Sequence, residues 1–327
     1  MLQLVNFSNS RYDMKMLHND TGKLQTFLAK HQLDGVELMM CEPWTLENKG
    51  LKAFAKGVHL KFWPFWLDFW REDQQALLRQ FGSETQIVSY YEAENRWQWL
   101  ELYKENVRMA VELGVEYLVF HVSNTRKEEV FTWDFHAQDA EVVEAAIEVL
   151  NELTPLIPEH TAILFENLWW PGLTLLNAEL VEKLLSKVNH KNTGIMLDTG
   201  HLMHTNPFLR SQEEGVQYIL DTLAQLGEHQ QRIKGVHLHH SLAGEYIQGC
   251  SREVPHDCSL LKVLEHVMNI DKHLPFSHPA AGKILERIQP EYLIHEFIYD
   301  SLENWSAKVC LQQQILAKKV IQAEDIA

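Results

Sequence analysis

Gly194-Ile195-Met196-Leu197-Asp198-Thr199-Gly200-His201 is a short apolar run that ends in a carboxylate. It then turns on a small residue and a glycine, and presents an imidazole three positions after the acid. A parallel strand that stops at the rim of an active site reads this way. The apolar residues fill an interior, and Asp198 leaves the strand end. Gly200 permits a sharp exit, and His201 returns over the same mouth. A carboxylate and an imidazole brought to one point do metal-ligand or acid–base chemistry. The stretch also reads more plainly, as a strand-end aspartate capping the next helix with His201 on a surface loop.

Outward from this stretch, the pattern repeats. Apolar, β-rich runs lie at 2–7, 35–39, 58–63, 116–122, 162–166, 194–198, 233–239 and 292–296. Helical periodicity separates them, at 21–31, 94–113, 139–153, 177–188, 212–226, 260–268, 280–288 and 302–322. Residues 65–95 carry Trp66, Phe69, Trp70, Tyr90 and Tyr91 and read as a long inserted loop, as does the segment with Trp133, Phe135 and His136. Strict strand–helix alternation means parallel strands joined by right-handed crossovers. Eight units in 327 residues with no linker predict a (β/α)8 barrel, one domain over 1–327. No GxGxxG or GxxxxGK[ST] occurs, which removes the common dinucleotide and P-loop readings.

Composition narrows the partners. The formal net charge of -16 works against binding a nucleic-acid backbone. The four cysteines form no CxxC pair, which fits a reduced, cytoplasmic setting. Residues 1–7 lack a basic start and a long apolar core, so they do not read as a signal peptide, and no apolar run reaches transmembrane length. A homo-oligomer is left open. The 18 histidines point to a metal or acid–base site among a majority of surface residues.

Polar residues interrupt the strands near their ends. They are His59 and Lys61 in strand three, His121 in four, Glu166-Asn167 in five, Asp198 and His201 in six, His237 and His239 in seven, and His295-Glu296 in eight. In a (β/α)8 barrel all strand C-termini face one mouth. Glu166, Asp198, Glu296 and either His237 or His239 should therefore converge. Three packed carboxylates repel unless a cation separates them. A mostly oxygen donor set with one imidazole suits one Mn²⁺, Mg²⁺ or Co²⁺ ion, and Zn²⁺ also fits. Each residue has a plainer role available: Glu166 could pair with Lys61, Glu296 could sit in a rim salt bridge, and a lone strand histidine is commonly a satisfied core group. In His237-Leu238-His239-His240, alternation places 237 and 239 on one face and 240 on the other.

Together these residues resemble the xylose-isomerase-like TIM-barrel superfamily of sugar isomerases, ketose 3-epimerases, inosose dehydratase-like proteins and endonuclease IV-type enzymes. The resemblance rests on Phe165-Glu166-Asn167, Leu197-Asp198-Thr199-Gly200-His201, Val236-His237-Leu238 and His295-Glu296-Phe297. It implies one divalent ion held by Glu166, Asp198, His237 and Glu296. It also implies substrate contacts from His201 and His121, joined here by His59, His239, Lys61 and Asn167. The implied reaction is isomerisation or epimerisation of a sugar, sugar phosphate or polyol through an enediolate. Glu166 and Glu296 would exchange the proton, and His201 and His121 would hold substrate oxygens. Trp63, Phe65, Trp66, Trp133, Trp169 and Trp170 would stack on the sugar and exclude water.

The sequence departs from the family where His239 and His240 follow the strand-seven histidine, and where only the distant Arg252 stands in for a substrate arginine. Other readings are metal-dependent phosphodiester cleavage at abasic DNA, which needs a three-metal cluster and a basic groove, a metal-free glycosidase using Glu166 and Glu296, and a barrel that binds without catalysis.

Overall fold

In the computed structural model, which describes residues 1–318, eight strands close on one another in chain order. They are β1 (Leu2–Ser8), β2 (Gly35–Met39), β3 (Ala55–His59), β4 (Tyr117–His121), β5 (Ala162–Glu166), β6 (Thr193–Asp198), β7 (Ile233–His237) and β8 (Tyr292–His295). Every neighbouring pair is parallel, and β1 pairs with β8 to close the ring. The expected (β/α)8 barrel is the observed one.

Side-chain alternation builds this barrel in layers. Leu4, Tyr117, Val119, Leu164, Met196 and Ile294 form one buried apolar cluster inside the ring. The layer is tightly filled: a Cβ on Gly57 would stand 2.1 Å from the Tyr117 ring, so only glycine fits there. Two residues further along each strand, on the same face, the chemistry changes. Gly57 gives way to His59, Val119 to His121, Leu164 to Glu166, Met196 to Asp198, Gly235 to His237, and Ile294 to Glu296. Register makes neighbours of them, with His121 opposite Glu166 and Asp198 opposite His237.

The larger core lies between barrel and helices. The helix Asp139–Leu153 shows how a helix is fixed there. Val142, Val143, Ala146, Val149, Leu150 and Leu153 repeat at three- and four-residue spacing and are all buried. Each large apolar side chain so buried contributes about 1.5–3 kcal/mol. The four cysteines are free thiols. Among the described residues no helix is long and apolar enough to cross a membrane.

Three expectations need correction. Strand three is Ala55–His59, not 58–63, because pairing with β4 stops at His59↔Val119. Lys61 therefore lies beyond the strand and points to solvent, where its ammonium pairs with Glu92 rather than Glu166. Residues 65–95 are not an irregular loop. They fold as three short helices, Leu67–Trp70, Gln74–Phe81 and Glu84–Tyr91, the last two capped by the side chains of Asp73 and Ser83. The final helix is Leu302–Leu316, and positions 319–322 of the expected span lie outside the described residues.

Candidate metal centre

Asp198 stands in both positions that the sequence offered. It caps the helix Thr199–His204, its Oδ1 accepting the His201 backbone N–H at 2.7 Å. Its Oδ2 faces His239 Nε2 at 2.8 Å and His237 Nδ1 at 3.8 Å. Gly200 makes this possible, since a Cβ there would stand 2.1 Å from the His239 ring.

Glu166 lies at the centre. Its Oε2 meets His59 Nε2 at 3.0 Å and His121 Nε2 at 3.2 Å. Its Oε1 meets His237 Nδ1 at 3.2 Å and His201 Nδ1 at 3.4 Å. Glu296 reaches the same point, 3.0 Å from His237 Nδ1. Glu166, Asp198, His237 and Glu296 thus form one group whose ligand atoms all lie within 4.8 Å of one another.

The same closeness holds for His59, His121 and Glu166, for His201, Asp271 and His273, and for Asp198, His239, His273 and Glu296. Asp271 arrives from the loop after the helix Leu260–Ile270. It contacts His201 Nε2 at 3.1 Å, His273 Nε2 at 3.0 Å and His204 Nε2 at 3.3 Å.

The far nitrogen of several imidazoles is already engaged, as metal-binding histidines require. His59 Nδ1 donates to the Leu60 carbonyl at 3.0 Å, and His201 Nδ1 to the Asn167 carbonyl at 3.0 Å. A carbonyl only accepts, so Nδ1 carries a proton in each ring, and Nε2 is the nitrogen that would turn to an ion. His237 uses Nε2 on Glu37 (3.0 Å), leaving Nδ1 toward the carboxylates. The Tyr117 hydroxyl donates to the other Glu37 oxygen at 2.8 Å. His121 Nδ1 and His239 Nδ1 are buried with no hydrogen-bond partner.

Electrostatics point the same way. Burial opposes the His201 imidazolium, yet Asp198 and Asp271 outweigh it and hold its pKa well above the ordinary value. Burial likewise opposes His237, and Glu296, Glu37 and Glu166 lift it well above. For Glu166, burial would raise the carboxyl, but the imidazoles of His121 and His237 hold it well below. The cluster therefore demands positive charge between its ligand atoms, a demand that divalent cations meet. These residues fit a metal centre.

Of the ten residues singled out in the sequence, eight meet here: His59, His121, Glu166, Asp198, His201, His237, His239 and Glu296. Lys61 stands at the rim, paired with Glu92. Asn167 turns away from the centre to exchange both side-chain hydrogen bonds with the Asp198 backbone, and so positions that acid. Of the aromatic residues, Trp63, Phe65, Trp169 and Trp170 line the cavity above the centre. Trp66 and Trp133 do not: Trp66 ties loops together through the Ser123 carbonyl, and Trp133 sits under Arg252. Sequence reasoning missed Glu37, His204, Asp271 and His273. A charge inside Gly35-Val36-Glu37-Leu38-Met39 was a usable signal for the first of these.

Residues 27–301 match the family described as xylose isomerase-like TIM barrel. Among solved structures, endonuclease IV from Thermus thermophilus is 16% identical over 97% of this chain and 99% of its own, with a TM-score of 0.52. Mannonate dehydratase from Streptococcus suis serotype 2 is 11% identical over 98% and 97%, with a TM-score of 0.51. At such identities these likenesses speak for the fold alone. Comparison with curated proteins returned no match. By its barrel and by the extent of that match, the chain belongs to the xylose isomerase-like TIM barrel family.

Proposed function

We propose that this protein is a metal-dependent phosphoester hydrolase working at a three-ion centre. The observation that carries the reading is the division of labour within Glu166. One oxygen faces His59 and His121, and the other faces His237 and His201. A carboxylate that faces two donor sets at once could help to hold two ions. The first ion would sit with His59, His121 and Glu166, and the second with Glu166, Asp198, His237 and Glu296. The third would sit with His201, Asp271 and His273. Two of these sets hold two imidazoles and one carboxylate, a composition suited to Zn²⁺.

Ions held there would make a water nucleophilic at neutral pH and offset charge on phosphoryl oxygens, which is what phosphoester hydrolysis needs. The chain's own groups fix the geometry. Glu37 and the Leu60 and Asn167 carbonyls hold three imidazoles in one tautomer and one orientation. Asn167 and the first turn of the helix Thr199–His204 hold Asp198. The aromatic segments around 62–65 and 168–170 limit water above the centre. In the reaction, a water oxygen joins phosphorus as the ester oxygen leaves with the bonding pair, and the proton released by the water ends on that alkoxide. The net charge of -16 disfavours a nucleic acid and favours a small phosphoester.

A second reading keeps a single ion, in the set Glu166, Asp198, His237 and Glu296, for isomerisation or epimerisation of a carbohydrate. That four-residue set taken alone supports it. Metal analysis of the purified protein separates the two. About three divalent ions per chain, with chelator-sensitive hydrolysis of bis(p-nitrophenyl) phosphate, is the expected result. One ion per chain, with solvent deuterium entering a ketose, would sink the hydrolase.

A further inference from the structure

The metal centre opens onto two chambers of unlike chemistry. The larger, about 540 Å³, stands above His121, Glu166 and His201. Its wall uses Phe62, Phe65, Trp169, Val263, Leu264 and Val267, drawn from the loops after β3 and β5 and from the helix Leu260–Ile270. Val263 packs into the core, while Leu260 and Leu264 are 44% and 56% exposed, so among the described residues this helix leaves apolar side chains open at the chamber mouth. Lys61, the cation at the rim, is already paired with Glu92. Such a wall has little to offer hydroxyl groups and gains from covering an aromatic or aliphatic surface.

The smaller chamber, about 250 Å³, lies on the β1–β8 side. Asn6, Ser8, Asp13 and Tyr299 give it a polar lining, with Asn6 held by the Phe297 backbone and Ser8 donating to Asp13. Met39, His59 and Glu296 line both chambers, so the candidate ligands stand at the boundary between them.

We infer that the substrate is a small-molecule phosphodiester with two dissimilar arms, a bulky aromatic or apolar alcohol in the larger chamber and a small polyol in the smaller one. This rests on the hydrolase reading above. The phosphate of a diester lies between its two ester arms, and the candidate ligands lie between the two chambers. A monoester would leave one chamber unused. A sugar would find the larger wall poor in hydrogen-bond partners.

The test uses the metal-loaded full chain. Calorimetric binding of 1-naphthyl phosphate is compared with that of inorganic phosphate, in the wild type and in Leu264→Asp. Leu264 is half-exposed, so the substitution leaves the core intact. The aromatic probe should bind at least about tenfold tighter than phosphate, and Leu264→Asp should remove most of that preference. Turnover of 1-naphthyl glyceryl phosphate should exceed that of bis(1-naphthyl) phosphate by about tenfold in kcat/KM. If diesters are hydrolysed but the aromatic preference is missing, the two diesters react alike, or abasic duplex DNA is cleaved faster than either, this inference fails while the hydrolase reading stands. If no diester is hydrolysed by protein that still binds inorganic phosphate, both fail.

Discussion

Two layers of the barrel interior, one strand pleat apart, have opposite characters. The lower holds Val119, Leu164, Met196 and Ile294, packed and dry. The upper holds His121, Glu166, Asp198 and Glu296, with Glu166 and Asp198 fully buried and His121 and Glu296 partly so, but ionic. The same strands supply both, two residues apart. The lower layer gains free energy from burial. The upper layer loses free energy by desolvating charge, and recovers it only through close pairing or bound cations. The comparison shows where stability and chemistry part: floor substitutions should act on folding, and ligand substitutions on metal content and turnover.

Glu166→Gln is the sharpest way to break the upper layer. It keeps the shape but removes the charge that faces four imidazoles. Hydrolysis should fall by about a thousandfold or more, since charge stabilisation of several kcal/mol is lost. Metal analysis should show fewer ions per chain. Unchanged metal content and near-normal kcat would refute the bridging role.

The matching change in the floor is Leu164→Ala, in the same strand. A buried leucine truncated to alanine costs about 2–5 kcal/mol of stability. Denaturant unfolding should report that loss, while ions per chain and KM stay near the wild-type values. A loss of metal without a loss of stability would show that the layers are not separable.

The contrast between layers also explains what could be read from the sequence. Apolar runs ending in Glu166, Asp198 and Glu296 announced both layers at once, so the barrel and most of the centre were legible. β2, β5 and the helices Thr21–His31 and Asp139–Leu153 fall where periodicity placed them. β3 was displaced because Leu60, Phe62 and Trp63 continue its apolar run, although after the Leu60 N–H bond to Val119 the chain leaves the ladder and Phe62 and Trp63 wall the chamber. The three helices of 65–95 were hidden by aromatic density, although Asp73 and Ser83 were fair capping signals. Asp271 and His273 were not legible. They follow an amphipathic helix with no strand to aim them, and only the folded loop carries them to His201.

Glu37 sharpens the comparison further, because it lies inside the barrel yet serves the upper layer. It accepts from Tyr117 below and holds His237 above. Glu37→Gln should leave folding nearly intact and lower metal affinity by about 10–100-fold, the range for partners that orient a metal ligand. Competition with a fluorescent chelator measures this directly. A purely structural Glu37 would change the unfolding midpoint and leave affinity alone.

The smallest effect is expected outside both layers, at His266 on the helix that walls the larger chamber. His266 is buried, its Nδ1 lies 2.9 Å from the Tyr246 hydroxyl, and its ring packs on Phe131. Burial, with help from Arg252, lowers its pKa from the ordinary value of 6.5. A histidine depressed in the folded state binds fewer protons there than in the unfolded chain. Its contribution to stability is therefore complete above about pH 6.5 and fades as pH falls toward the lowered value. Thermal unfolding of the wild type should weaken from pH 7 to pH 5, and His266→Gln should weaken less over the same interval. Other histidines that burial lowers, among them His204, His240 and His295, add to the common fall, so the difference between the two proteins isolates this helix. Identical pH dependence in both would mean that acid loosens the protein elsewhere and that the chamber wall keeps its seat.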